Sequence, residues 1–230
     1  MEKKEMRLER DRWKRQEYRQ EILKAAEKVV SQKGYSAMTM DDVAREAEFS
    51  KATLYHYFKG KGEIILQIIE SFFDEIHREL IRIQRTETSA SDKLNQGIHF
   101  YLKFNQDKEN ISRVLMMDPA LMQKMKIFIV EEKELTSASD KRFLGKIKGK
   151  RRVILEGVAA ILKQGIESNE FRKVDIRKAV HFLEAALDGY CHSQFWRDRT
   201  YSLNEATSLI HSFFLQGIEL KETGAKGEPR

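Results

Sequence analysis

The chain has 230 residues, enough for one large domain or two modest ones, and carries 42 Lys/Arg against 36 Asp/Glu, a formal net charge of +6. Its single cysteine, Cys191, excludes an internal disulfide and fits a reducing cytoplasm, the compartment expected for this protein. The N-terminus is charged throughout and no apolar run approaches the ~20 residues of a membrane span, so neither a signal peptide nor a membrane partner is expected.

With only two prolines, Pro119 and Pro229, and long apolar patterns of 3.6-residue period, the chain is predicted to be all-α. Residues 1–15, MEKKEMRLERDRWKR, mix both charge signs and hold Met6, Leu8 and Trp13 as large apolar side chains. They fit a frayed, solvated helical extension or a basic arm that reaches a phosphate or a minor groove. The first firm helix is expected over 16–33, with Ile22, Ala26, Val29 and Val30 as its stripe and Gly34 as its stop.

Two short helices follow. Thr39 precedes an apolar-periodic run with Asp42 three residues on, so a capping box starts the first. Met40, Val43, Ala44 and Ala47 form its buried face. Glu48 and Phe49 break the pattern, and the Ser50 hydroxyl caps the second helix. There Leu54 and Phe58 point one way, while Lys51, Tyr55 and Lys59, beside Ala52 and His56, point another. No acid occurs from Ser50 to Lys61, which leaves the N-terminal dipole open to an outside anion. Such a face suits the DNA major groove, where side chains reach base edges and phosphates. A surface amphipathic helix of any helical protein would carry the same pattern. The first sixty residues hold 14 Lys/Arg against 11 Asp/Glu, more basic per residue than the rest, as a DNA-binding end would be.

The stretch GYSAMTMDDVAREAEFSKATLYHYFKGKGEII resembles the N-terminal helix-turn-helix of the TetR family of bacterial transcriptional repressors. Gly34, Tyr35, Thr39, Val43, Ala44, Ala47, Ser50, Leu54, Tyr55, Tyr57, Phe58 and Lys61 match the family pattern, within about the first 65 residues. The chain departs from it in three places. Glu48 stands where glycine is usual, Phe49 replaces a smaller aliphatic residue, and Ala52 stands where many members have glycine. A positive φ at Glu48 would carry a strain of about 1 kcal/mol. The resemblance and the helix geometry together place DNA contacts at Thr39, Ser50, Lys51, Ala52, Thr53, Tyr55, His56 and Lys61.

A long helix is expected from Glu63 to about Ile83, apolar on more than one side, buried between the DNA-binding unit and a second domain as a mechanical link. Residues 92–117 carry an apolar pattern that Asn105 to Asn110 interrupts, which leaves room for two helices. Asp118-Pro119 is a boundary, and 119–135 is a further helix. Its methionines, with Met116 and Met117, fit ordinary core filling or an adaptable pocket. A helix over 140–168 opens with KRFLGKIKGKRR, seven Lys/Arg without an acid, a solvated face or an attractor for an anionic ligand or DNA. Two last helices over 175–197 and 202–220 show seams with alanine and glycine; the family resemblance implies that they pair across a two-fold axis in a homodimer. From Lys221 the tail is polar and expected to be disordered. The domain division expected is 1–62 for the arm and helix-turn-helix, 63–220 for ligand binding and dimerisation, and 221–230 for the tail.

No catalytic constellation is visible. None of the six histidines pairs at i, i+4, and G-x-S-x-G, P-loop and G-x-G-x-x-G motifs do not occur. Cys191 fits a core thiol. No enzyme activity, metal or cofactor is expected. The protein is expected to be a repressor that binds a palindromic double-stranded operator as a homodimer and is released by a small-molecule effector. The rivals are a helical small-molecule-binding protein or enzyme with an inert helix-turn-helix, and an architectural DNA binder without a ligand. The effector is expected among Phe100, Tyr101, Phe104, Met116, Met117, Met125, Phe128, Phe182, Phe195 and Trp196. Few acids lie among them, so an elongated apolar molecule fits better than a cation. The basic run Lys141 to Arg152 offers a place for an acidic head group. A fatty acid or acyl-CoA has both features, and some TetR-family members resembling this chain sense such compounds.

Overall fold

The structure, a computed structural model, describes residues 2–118, 121, 138–193 and 201–218. Among these residues every regular element is a helix: α1 Glu2–Ala37, α2 Met40–Glu46, α3 Lys51–Tyr57, α4 Lys61–Gln84, α5 Ala90–Asp107, α6 Glu109–Met117, α7 Ala138–Glu167, α8 Ile176–Ser193 and α9 Leu203–Ile218. The all-α expectation holds. Met125, Phe128, Phe195 and Trp196, most of the helix expected over 119–135, and the tail from 221 lie outside the described residues.

The chain divides into two compact units, Met1–Asp74 with Lys108–Lys150, and Glu75–Asp107 with Arg151–Arg230. These follow packing, so the first 14 residues of α4 and all of α6 go with the helix-turn-helix. The division at residue 62 remains the proposed division of labour.

In the first unit α1 packs on α2 and α6, and α2 on α3. Ile22, Ala26, Val29 and Val30 are buried as their spacing predicts, together with Val43, Leu54, Phe58, Ile64 and Ile65. Complete burial of Leu54 and Phe58 contributes about 1.5–3 kcal/mol each and fixes α3 on its base. The helix expected from residue 16 is continuous back to Glu2, which is the helical-extension reading of the first fifteen residues. Charges of both signs do not oppose a helix, and the segment lacks glycine and proline. Gly34 breaks α1 as expected, with φ 77° and ψ 167°. A Cβ there would lie 2.9 Å from Asp118 Oδ2, so the residue is held by its backbone and by its neighbour.

In the second unit α5 packs on both α9 and α8, and α8 on α9. The break expected between Asn105 and Asn110 is real: α5 ends at Asp107 and α6 begins at Glu109. Glu170 caps the start of α5 through the amides of Ala90 and Ser91, both at 3.1 Å. Burial raises the Glu170 pKa, but those amides and the Ser168 hydroxyl outweigh it and hold the carboxyl below its ordinary value. Buried Lys93 closes the end of α4, donating to the Gln84 carbonyl at 3.0 Å and to Gln164 at 2.9 Å. No helix among the described residues is long and apolar enough to cross a membrane.

Candidate nucleic-acid interface and effector residues

The helix-turn-helix is built by its caps. Thr39 Oγ1 accepts from the Asp42 amide at 3.1 Å, and Asp42 Oδ2 accepts from the Thr39 amide at 3.2 Å, which completes the capping box. Asp42 also takes Lys33 at 2.7 Å and Arg45 at 2.5 Å. The Lys33 bond first, then the Thr39 hydroxyl, hold the Asp42 carboxyl well below the usual carboxylate range. In the turn Glu48 has φ 57°, the left-handed conformation that glycine adopts without strain. Ser50 then caps α3, its Oγ accepting from the Thr53 amide at 3.0 Å and lying 2.8 Å from Thr53 Oγ1.

These bonds sort the eight expected DNA contacts. The hydroxyls of Thr39, Ser50 and Thr53 are committed to helix caps. Ala52, Tyr55 and His56 are exposed on α3, Tyr55 by 48%, and carry no side-chain hydrogen bond from the described residues. Lys51 is exposed but paired with Asp41 of α2, 2.7 Å away, and that hydrogen bond raises the lysine's pKa. The absence of acids along α3 itself thus did not leave its first cation free, because the carboxylate arrives from the preceding helix. Lys61 is placed otherwise than expected. Its Nζ donates to the carbonyls of Tyr35, Ser36 and Met38 at 3.2, 3.0 and 3.2 Å and lies 5.0 Å from the Tyr35 ring centre. An ammonium has three protons, and all three are occupied at the end of α1.

Two residues that sequence reasoning passed over support α3 from below. Tyr18 meets Phe49 and Tyr57 edge to face, with ring centres 5.3 and 6.1 Å apart. Arg19 donates to the Tyr57 carbonyl at 2.5 Å, lies 4.3 Å from the Phe58 ring centre and pairs with Glu63 at 3.6 Å. Both lie more than 30 positions from their α3 partners in the chain, beyond the reach of any periodicity. Asp118 was visible only as a boundary. Its Oδ2 accepts from the Tyr35 amide at 2.8 Å and its Oδ1 from the Leu121 amide at 3.0 Å, so the end of α6 is bound to the end of α1.

The expected effector residues fall in both units. Met116 and Met117 are half-buried on α6 of the first. In the second, Phe100 and Phe104 stack on α5 with ring centres 5.4 Å apart, and Tyr101 donates to Asp188 of α8 at 2.6 Å. Burial first, then the Asp188 charge, push the phenol's pKa well up. Phe182 is 70% exposed on α8. The basic run at the start of α7 is largely neutralised: Lys146 pairs with Glu70, Lys150 with Asp74, Arg151 with Glu184 and Arg152 with Glu156. Lys141, Arg142 and Lys148 are exposed. Cys191 is buried, as expected for a core thiol. Burial pushes its pKa up to about 12.

Comparison with known proteins gives this geometry a context. Residues 22–68 match the family model for bacterial regulatory proteins of the tetR family. Over 209 residues the chain is 24% identical to the fatty acid metabolism regulator protein of Bacillus subtilis, spanning 90% of this chain and 98% of that one. It is 31% identical over 94 residues to the HTH-type transcriptional activator FasR of Mycolicibacterium smegmatis, 41% of this chain and 43% of the relative. The fold matches that of a transcriptional regulator FadR from Bacillus subtilis, solved in complex with stearoyl-CoA, with a TM-score of 0.69 at 20% identity, covering 87% of this chain and 99% of that one.

Proposed function

Because the chain belongs to the TetR family and is a DNA-binding transcription regulator rather than an enzyme, we propose that it is a repressor that binds a palindromic operator as a homodimer and leaves it when an apolar, acyl-type effector binds. The observation that carries the DNA half is α3 itself. Leu54 and Phe58 seat it, Ser50 caps it, and Lys51, Ala52, Tyr55 and His56 are presented outward. In the groove Ala52 and His56 meet base edges, while Tyr55 and Lys51 meet phosphates, which position the protein without specifying sequence. Lys51 exchanges Asp41 for a phosphate on binding.

The effector half rests on similarity and on chemistry. One relative is a fatty acid metabolism regulator, and a protein of the same fold was solved with stearoyl-CoA. The stacked Phe100–Phe104 pair gives α5 of this chain an apolar surface of the kind a long chain needs. The dimer is proposed through α8 and α9, where Phe182 and Phe213 are each 70% exposed and Leu209 40%. Large apolar side chains on two adjacent helices mark an association surface.

Two elements lead away from α2 and α3. One is α4, whose final residues belong to the second unit; the other is α6, which ends on the Asp118 bond to Tyr35. An effector that favours the arrangement with the wrong half-site spacing shifts the population off DNA. The test is selection of binding sites from a random duplex pool, followed by titration of the best site with palmitoyl-CoA. Two half-sites about one helical turn (~34 Å) apart or slightly more, two protomers per site, and release by palmitoyl-CoA but not by free CoA are expected. Sites without symmetry, or release by neither acyl-CoA nor free fatty acid, would contradict it.

A further inference from the structure

The inside of the second unit carries one polar group that its own chain leaves unanswered. Asn105, on α5, is 6% exposed. Its Nδ2 donates to the Tyr101 carbonyl at 2.9 Å, but its Oδ1 is buried without a hydrogen-bond partner among the described residues. A buried acceptor left open costs about 1–3 kcal/mol, and native folds keep few of them.

The neighbours of this acceptor are acceptors too. Asn105 lies one helical turn after Tyr101, whose phenol donates its only proton to Asp188 Oδ1 at 2.6 Å. The second Asp188 oxygen carries no hydrogen bond from the described residues. Cys191, 5% exposed and three positions on along α8, offers only a weak donor. Arg151 of α7, whose charge acts on Asp188, is forked onto Glu184 of α8, with its Nε 2.7 Å from Glu184 Oε1. Phe104 and Leu183, beside Asn105 and on the adjoining helix, are buried and apolar. Asn105 Oδ1 is thus buried near apolar side chains, while Asp188, reached through the Tyr101 phenol, is exposed.

We propose that Asn105 and Asp188, held by Tyr101, form the polar recognition point of the effector site, and that they take a hydrogen-bond donor on an elongated apolar molecule: an amide N–H, a hydroxyl or an ammonium, not a carboxylate. A carboxylate would meet no donor at the open Asn105 oxygen, where an anion is desolvated, and would be repelled by the Asp188 charge. An N–H or O–H satisfies the open acceptor, and sites built on such a bond reject ligands that lack it. The proposal rests on the effector reading above and narrows it. Acyl derivatives whose polar end carries amide N–H groups, as the pantetheine arm of CoA does, are favoured over the free acid.

The experiment uses three probes of one chain length with different ends: decanamide, decylamine and decanoate. Binding to the full-length free protein is measured by calorimetry, with palmitoyl-CoA release of operator run in parallel. Decanamide, decylamine or both are expected to bind at least tenfold more tightly than decanoate. Asn105→Leu should reduce that preference about tenfold while leaving operator affinity without ligand unchanged. Asp188→Asn, a near-isosteric change at a group whose pKa burial already raises, serves as the second variant should Asn105→Leu fail to fold. It should abolish any advantage of decylamine over decanamide. Decanoate binding as well as the amide, a preference unaltered in both variants, or no binding by any of the three overturns the proposal. The effector reading fails separately, if acyl-CoA leaves the operator complex intact while the donor preference on the free protein persists.

Discussion

Lys61 holds three carbonyls at the end of α1 and caps that helix from a distance of more than twenty residues. Charged hydrogen bonds to an orphaned helix end stabilise by about 1.5–3 kcal/mol each when desolvated and less at a half-exposed site such as this one. Lys61→Ala is therefore expected to lower stability by about 1–2 kcal/mol in denaturant titration. The salt dependence of operator binding should stay the same, since no phosphate contact is lost. A slope reduced by roughly one per subunit would instead make Lys61 a phosphate ligand. Asp42 has a complementary signature in pH. Its folded pKa lies below the unfolded value of about 3.9, so its contribution is complete above that pH and is lost as the pH falls toward the depressed value. The unfolding midpoint should fall more steeply below about pH 4 in the native protein than in Asp42→Asn, as measured by circular dichroism. The Thr39 and Ser50 caps and the left-handed Glu48 were legible in the sequence, because each acts within three or four residues. The Lys61, Arg19 and Asp118 contacts were not, because each joins residues brought together by the fold.

At the scale of elements, α3 is a seven-residue helix, too short to persist by itself, so its orientation depends on what lies beneath it. Tyr18 and Arg19 hold it from α1, and Phe58 closes its end. Removing Arg19 frees the Tyr57 carbonyl and loosens the recognition helix without removing a DNA contact. Arg19→Ala is expected to lower operator affinity about tenfold, equally for cognate and mismatched sites, with an unchanged salt slope in fluorescence anisotropy; that factor corresponds to about 1.4 kcal/mol. A changed slope would give Arg19 a phosphate of its own. Most helices could be placed from apolar period and glycine punctuation, including the break between α5 and α6. The extension of α1 back to Glu2 was one of two readings of the first fifteen residues, because a helix there has no apolar stripe to tell it from an arm. The pairing of the α7 cations was missed: α7 contains few acids near them, and Glu70, Asp74 and Glu184 arrive from α4 and α8.

For the whole molecule, the exposed rings of α8 and α9 and the outward face of α3 carry the proposed division between association and DNA binding. Phe182 shows what a sequence leaves open: an aromatic on an apolar-periodic helix looks the same whether it fills a core, lines a pocket or stands exposed, as it does here. If Phe182 and Phe213 lie in a dimer interface, Phe213→Glu buries an unpaired charge there. Sedimentation should then find monomers at micromolar concentration and operator affinity reduced at least a hundredfold, with helical content retained. A dimer of undiminished affinity would remove α9 from the interface. The central claim is that effector and operator compete through two arrangements of one protein, and linkage makes that reciprocal. The most direct measurement is calorimetry of palmitoyl-CoA binding to the protein alone and to the protein saturated with its selected operator. Operator should weaken acyl-CoA binding by the same factor by which acyl-CoA weakens operator binding. Acyl-CoA affinity unchanged by saturating operator, while acyl-CoA still releases the DNA, would contradict the account.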